Sequence, residues 1–236
     1  MKNLKKIVAV LLAVMLLGAL AACGGDTKTD QPTSGGDSQQ GGNQILETGL
    51  KQVAELEIVA GAEEPATLEI SQLTEAADNA VLADFNTDIQ AKLTEWQQSL
   101  MEGETLSVRA CVLDTENYLS VLLTKEVTPN YGSDAEVYYY VYDRIVDNKM
   151  DVEYAKAWMS LSEDALADAV NAYMEEGQKW VSFNADAFYV DTDEKAVFLV
   201  SCKVRQEGAD DWTYVYVLKD GKIVGNITQL MGQIKQ

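Results

Sequence analysis

Apolar positions along this chain fall into three regimes. From Ile7 to Ala22 they form an unbroken apolar or small run, preceded by Lys2, Lys5 and Lys6. From Gly24 to Gln44 the composition changes to Gly, Ser, Thr, Asp, Gln and Asn with almost nothing apolar, and such a segment cannot bury enough surface to offset the entropy of ordering it. From Ile45 onward apolar residues recur with the periods of helices and strands. Residues 45–236 are therefore read as one folded domain, a length that fits a single core.

Within that domain Val81, Leu82, Phe85, Ile89, Leu93, Trp96 and Leu100 repeat at helical spacing. The spacing predicts a long amphipathic helix over Asn79 to Met101, with Asp78 as its N-cap, and its apolar stripe needs a sheet to lie on. Strands are predicted at Leu106 to Leu113, Tyr118 to Val127 and Glu136 to Asp143, separated by Asp, Glu, Asn, Pro and Gly clusters. Ser160 with Glu163 reads as a capping box opening a second helix, marked by Leu166, Ala169, Val170, Tyr173 and Met174 and stopping near Gly177. Strands resume at Ala187 to Val190 and Ala196 to Val204. A final hairpin joins Trp212 to Leu218 and Ile223 to Thr228 through Asp220 and Gly221. Locally connected strands with two separate helices predict an α+β domain built on antiparallel sheet.

The N-terminal apolar run, behind its lysines, has the form of a signal peptide. It is too short to span a membrane comfortably, which takes ~20 apolar residues. It ends in Leu20, Ala21, Ala22, Cys23 and Gly24, which resembles the lipobox of bacterial lipoproteins. That resemblance implies cleavage of residues 1–22, diacylation of Cys23 and attachment to the outer side of the cell membrane. Two acyl chains are what a stable anchor takes, at ~0.8 kcal/mol per buried methylene. Residues 23–44 are then lipid anchor and flexible tether, the tether spanning roughly 25 Å as a coil.

Charge narrows the partners. Lys and Arg number 18 against 38 Asp and Glu, and cleavage removes three lysines and no acid, so the net charge falls from −20 to −23. Nucleic acid is excluded as a partner, because neutralising phosphates needs a basic surface, and so is a polybasic grip on anionic lipid. An acidic surface serves solubility and also attracts cationic partners. Histidine is absent, which removes Ser-His-Asp and Cys-His catalysis and imidazole-ligated zinc, leaving carboxylate, Lys, Tyr or Ser-Lys chemistry. No pattern calls for a cofactor or metal. Asp191 to Lys195 resembles the opening of a calcium loop, but Ala196 stands where glycine is needed and Cys202 where the bidentate Glu is needed, so a hairpin turn is the better reading. The adjacent pairs Asp210 with Asp211 and Glu175 with Glu176 read as solvated surface. Cys111 and Cys202 remain in the mature chain. Cys202 is in phase with core positions and Cys111 shares a face with Ser107 and Arg109, which leaves open both a disulfide and two unpaired thiols used as small hydrophobes.

Two aromatic rows are the candidate ligand-binding residues. Tyr138, Tyr140 and Tyr142 share one face of their strand, and Trp212, Tyr214 and Tyr216 share one face of theirs. Rings with a polar edge suit a sugar or protein platform, and the same rings also serve simply to cover a sheet or lie under a helix.

The order of elements from about Leu68 to Leu218 resembles the extracellular domain of lysozyme-responsive anti-sigma factors, a domain also found before some peptidoglycan deacetylases. The residues that carry the likeness are Asn79, Val81, Phe85, Asn86 and Ile89 on the helix, then Tyr131 and Gly132 before Tyr138, Tyr140, Tyr142 and Asp143. Leu161 before a helix and Phe188 with Tyr189 on a later strand complete it. Ser133, Asp134 and Ala135 replace the family's frequent Gly-Ala-His, and Ser201 and Cys202 stand near the place of a frequent Tyr. The chain has neither an anti-sigma segment nor a deacetylase domain, so the resemblance implies a fold and a cationic protein partner, and no catalysis. The leading expectation is a lipid-anchored, non-catalytic binding or sensor module at the cell envelope, whose partner is a cationic protein or cell-wall glycan. A carboxylate-dependent cell-wall glycan hydrolase and a passive envelope scaffold are the alternatives.

Cys23→Ala is expected to abolish lipid attachment and release the chain from the membrane fraction. Metabolic labelling with a fatty acid followed by fractionation checks this, and a variant that stays labelled and membrane-bound refutes it.

Overall fold

The computed structural model describes residues 48–129, 136–206, 208 and 211–234. The segments read above as signal peptide and tether lie outside the described residues, as do Cys23, Tyr131 to Ala135 and Asp210. The fold is α+β, on two antiparallel sheets. The first contains β1 (Lys51–Val59), β2 (Thr105–Asp114), β3 (Tyr118–Thr128), β4 (Glu136–Asp143) and β5 (Asn148–Met150), in that spatial order. Between β1 and β2 come α1 (Ser71–Thr74) and α2 (Ala80–Ser99). After β5 follow α3 (Val152–Trp158) and α4 (Glu163–Tyr173). The second sheet is β6 (Gln178–Val190), β7 (Ala196–Gln206), β8 (Trp212–Lys219) and β9 (Lys222–Asn226), also in sequence order, and α5 (Ile227–Gln233) closes the chain of elements. Among the described residues no helix is long and apolar enough to cross a membrane.

Alternation along the strands decides the layering. On β2 and β3, Leu106, Val108, Ala110 and Val112 with Leu119, Val121 and Leu123 lie under Leu82, Phe85, Ile89, Leu93 and Trp96 of α2. The opposite face of the same strands carries Cys111, Leu113 and Leu122, which meet Ala187, Tyr189, Val197, Leu199, Val215 and Val217 of the second sheet. The far face of that sheet, with Phe188, Phe198, Val200, Cys202 and Leu218, is covered by Leu166, Ala169 and Val170 of α4 and Ala155 of α3. The layers therefore run α2, first sheet, second sheet, then α3 with α4. Burying each large apolar side chain contributes about 1.5–3 kcal/mol. The sheets are also stitched by a polar bond, in which the buried Ser120 Oγ accepts the Val190 N–H at 3.0 Å.

Several elements differ from the sequence expectation. Asn79, rather than Asp78, caps α2: its Oδ1 accepts the N–H groups of Val81 and Leu82, while its Nδ2 donates to Tyr142 Oη at 2.8 Å. Ser162, rather than Ser160, caps α4, and Ser160 sits at φ 52° in the preceding turn. α4 ends at Tyr173, and Gly177, with φ 84°, lies in the turn before β6. β6 begins at Gln178, well before the predicted Ala187. The strand expected over Ile223 to Thr228 stops at Asn226, whose side chain forms a capping box with Gln229 and starts α5. β1, β5, α1 and α3 were not predicted. The Asp220 and Gly221 turn does join β8 to β9, with both residues at positive φ, 49° and 75°.

Cys111 and Cys202 are unpaired. Cys111 points between the sheets and Cys202 points toward the α4 layer, so a sheet separates them. Although Cys111 shares a face with Arg109, the second sheet covers that face at Cys111 and not at Arg109. Burial pushes both thiols up to about 11, which leaves little reactive thiolate at neutral pH. Cys111 and Cys202 are therefore expected to react with a disulfide reagent only on denaturation, and their rapid reaction in the folded state would contradict this packing.

Candidate functional site

The two aromatic rows occupy opposite outer layers. Tyr138, Tyr140 and Tyr142 stand on the α2 side of the first sheet, whereas Tyr216 belongs to the α4 side of the second. Both sheets lie between them, so they do not form one platform. Tyr140 and Tyr142 are 5 % and 6 % exposed and work as core: Tyr140 packs on Phe85 at 5.3 Å, and Tyr142 holds the α2 cap through Asn79. Tyr138 is half-buried and meets Trp96 edge-on at 5.2 Å. In the other row Tyr216 is buried against Tyr173 at the end of α4. Beyond that end the sheet is uncovered, leaving Trp212 54 % and Tyr214 40 % exposed.

Beside Tyr138 lies a groove of about 560 Å³ that the sequence did not single out. One wall is α2, through Asp88, Ala91, Lys92 and Glu95; the other is the second sheet, through Asp186, Ala187, Leu199, Ser201 and Val215. Its floor is the first half of β4, from Glu136 to Tyr140. The sheets converge further along, where Tyr139 meets Phe188 at 5.0 Å and the Tyr139 hydroxyl accepts the Val152 N–H at 3.0 Å. The groove lies beside this contact, over Glu136 to Tyr140.

Three carboxylates at this groove, Asp88, Glu95 and Glu136, each have a lysine partner. Lys92 pairs with Glu95 at 2.6 Å and lies over the Tyr138 ring at 4.4 Å. Lys149 reaches Asp88 at 3.9 Å and stands 5.7 Å from the rings of both Phe85 and Tyr140. Lys125 pairs with Glu136 and stands 5.5 Å from the Trp96 ring. The Tyr138 hydroxyl donates to the other oxygen of Glu136 at 2.8 Å. Burial by itself raises the Glu136 pKa, but the hydrogen bonds from Lys125 and Tyr138 outweigh it and hold the carboxyl below its ordinary value. Burial likewise opposes the charge on Lys92, and its contacts with Glu95 and Tyr138 outweigh that, raising its pKa. Tyr140 is pushed up to about 12, by burial first and by Asp88 second. An ionised, paired Glu136 accepts hydrogen bonds and is poorly placed to deliver a proton.

The resemblance to a calcium loop at Asp191 resolves into a hairpin. Asp191 is 1 % exposed, its Oδ1 accepts the N–H groups of Asp193 and Lys195, and its Oδ2 lies 2.8 Å from Lys219 Nζ. The turn's own donors take Oδ1, and Oδ2 is buried in an ion pair with Lys219. Among the described residues no group of three or more Asp, Glu or Cys side chains is arranged to hold a metal ion. Asp211 is engaged by Arg205 at 2.7 Å.

No family model matches this chain, and comparison with curated proteins and with solved structures also yields no match.

Proposed function

We propose that this chain is a lipid-anchored extracytoplasmic binding or sensor module that acts at the cell envelope without catalysis. The lipobox and tether support the location. The observation that carries the rest is the groove between α2 and β4, in which Asp88, Glu95 and Glu136 each have a lysine partner. Paired charges and ring edges present fixed hydrogen-bonding and packing groups to a ligand. A carboxylate-dependent hydrolase instead needs one carboxyl with a raised pKa to act as the acid, and Glu136 is shifted the other way. Tyr138 is the ring of the first row that reaches the groove while remaining half-buried, and we assign it the role of an anchor for the bound partner.

Incubated with purified peptidoglycan, the domain is expected to release neither soluble glycan fragments nor acetate; release that disappears in Glu95→Gln or Glu136→Gln would overturn the reading in favour of a hydrolase. Titrated with lysozyme and with an unrelated protein of similar basic charge, it is expected to prefer one over the other. Tyr138→Ala is expected to weaken that preferred complex by about 2 kcal/mol, as for a central aromatic anchor. Equal affinity for both proteins, unchanged by Tyr138→Ala in a folded variant, would leave only a charged surface.

A further inference from the structure

The floor of the groove is an open strand edge. β4 pairs with β3 along Glu136 to Asp143, but on its other side β5 pairs only with Val141, Tyr142 and Asp143. The ladder's phase is set at its end, where the Arg144 N–H donates to the Asn117 carbonyl at 2.9 Å. Directly opposed residues in an antiparallel pair alternate between bonded and non-bonded. Tyr142, Tyr140, Tyr138 and Glu136 therefore bond to β3, and Val141, Tyr139 and Val137 turn their N–H and C=O groups outward. Val141 meets Met150 of β5. Among the described residues Val137 and Tyr139 face no strand, and both line the groove.

The remaining edges of the two sheets carry devices that discourage pairing. β1 carries Lys51, Glu55 and Glu57. β6 is irregular at two places, between Trp180 and Ser182 and between Ala185 and Ala187. β9 is five residues long and runs directly into α5. The first half of β4 is instead regular in register and set between two walls.

We propose that this edge binds an extended segment of a basic protein by antiparallel strand addition, with basic and apolar side chains alternating along the segment; the inference rests on the binding-module reading above. Backbone bonds to Val137 and Tyr139 supply the pairing, and side-chain pockets on alternate sides supply selectivity. Residues opposite Val137 and Tyr139 turn toward Ala187, Leu199 and Val215, which are apolar. Their neighbours turn toward the α2 side, where a basic side chain would share Asp88, Glu95 and Glu136 with the lysines that already pair with them. The mature chain's charge of −23 decides between the two sources of such a strand: it repels a second copy of this chain and draws in a cationic partner.

The probe is a labelled nine-residue peptide of alternating Lys and Val, capped at both ends, titrated by fluorescence anisotropy at low and physiological salt. In the antiparallel register the Val positions carry the N–H groups that face β4. N-methylation at the Val positions is expected to weaken binding about tenfold or more, the loss of two hydrogen bonds, whereas N-methylation at the Lys positions leaves it nearly intact. Val137→Pro removes one outward donor and no bond to β3, and is expected to cause a smaller loss, that of one hydrogen bond, while the near-UV circular dichroism stays native. Equal affinity for the three peptides overturns edge docking and leaves the binding-module reading standing. Absence of any binding by the unmodified peptide overturns it as well. Self-association that Val137→Pro abolishes would make a second copy, rather than a basic partner, the occupant. Turnover of peptidoglycan would strike the parent reading alone.

Discussion

The rest of this structure depends on burying β3 on both faces. Leu119, Val121 and Leu123 lie under α2 while Tyr118, Ser120 and Leu122 turn toward the second sheet, so one strand is shared by two core layers. A single sheet with one covering helix leaves its second face in water, and that face here is too apolar to stay there. The second sheet is therefore required, and its own far face needs α3 and α4 in turn. Ser120 fits this place because its hydroxyl accepts the Val190 N–H and removes an otherwise orphaned donor.

The groove is a by-product of that stacking. Two twisted sheets cannot stay in contact along their whole length. They meet where Tyr139 packs on Phe188, and the groove lies beside that contact, over Glu136 to Tyr140. Among the described residues β5, only three residues long, pairs with Val141 to Asp143 of β4 and leaves Val137 and Tyr139 without a partner strand. The place where packing is least complete is thus also the place where backbone groups remain available. A protein that carries 38 acidic and 18 basic residues brings three lysines to this one place, where each is held by a carboxylate and by an aromatic face. Cation–π contacts of this kind contribute about 0.5–1 kcal/mol each at exposed sites, and their larger effect is to fix the side chains that form the α2 wall.

Much of this molecule is determined locally and is legible along the chain. The α2 stripe, the three strands β2 to β4, the α4 face and the Asp220 and Gly221 hairpin follow from period, capping chemistry and turn residues, which act over a few positions. The excess of acid, the missing histidine and the resemblance of the Cys23 segment to a lipobox are likewise readable from residues alone. Short elements are not: α1, α3 and β5 have too few positions to establish a period. Cap assignments slipped by a residue or two at Asp78 and Ser160, because several polar residues precede each helix and the path of the chain chooses among them.

Tertiary structure decided everything that depends on which faces meet. Sequence alternation put Tyr138, Tyr140 and Tyr142 on one face and Trp212, Tyr214 and Tyr216 on another, but only the stacking order shows that two sheets stand between the rows and that Tyr140, Tyr142 and Tyr216 are buried. The same stacking separates Cys111 from Cys202. Of the groove, the sequence singles out Tyr138 and Tyr140 through their aromatic row, while nothing in it marks Asp88, Lys92 and Glu95 or the backbone of Val137 and Tyr139. An open backbone edge is the absence of a partner strand, and backbone groups are the same in every residue, so no side-chain pattern records it.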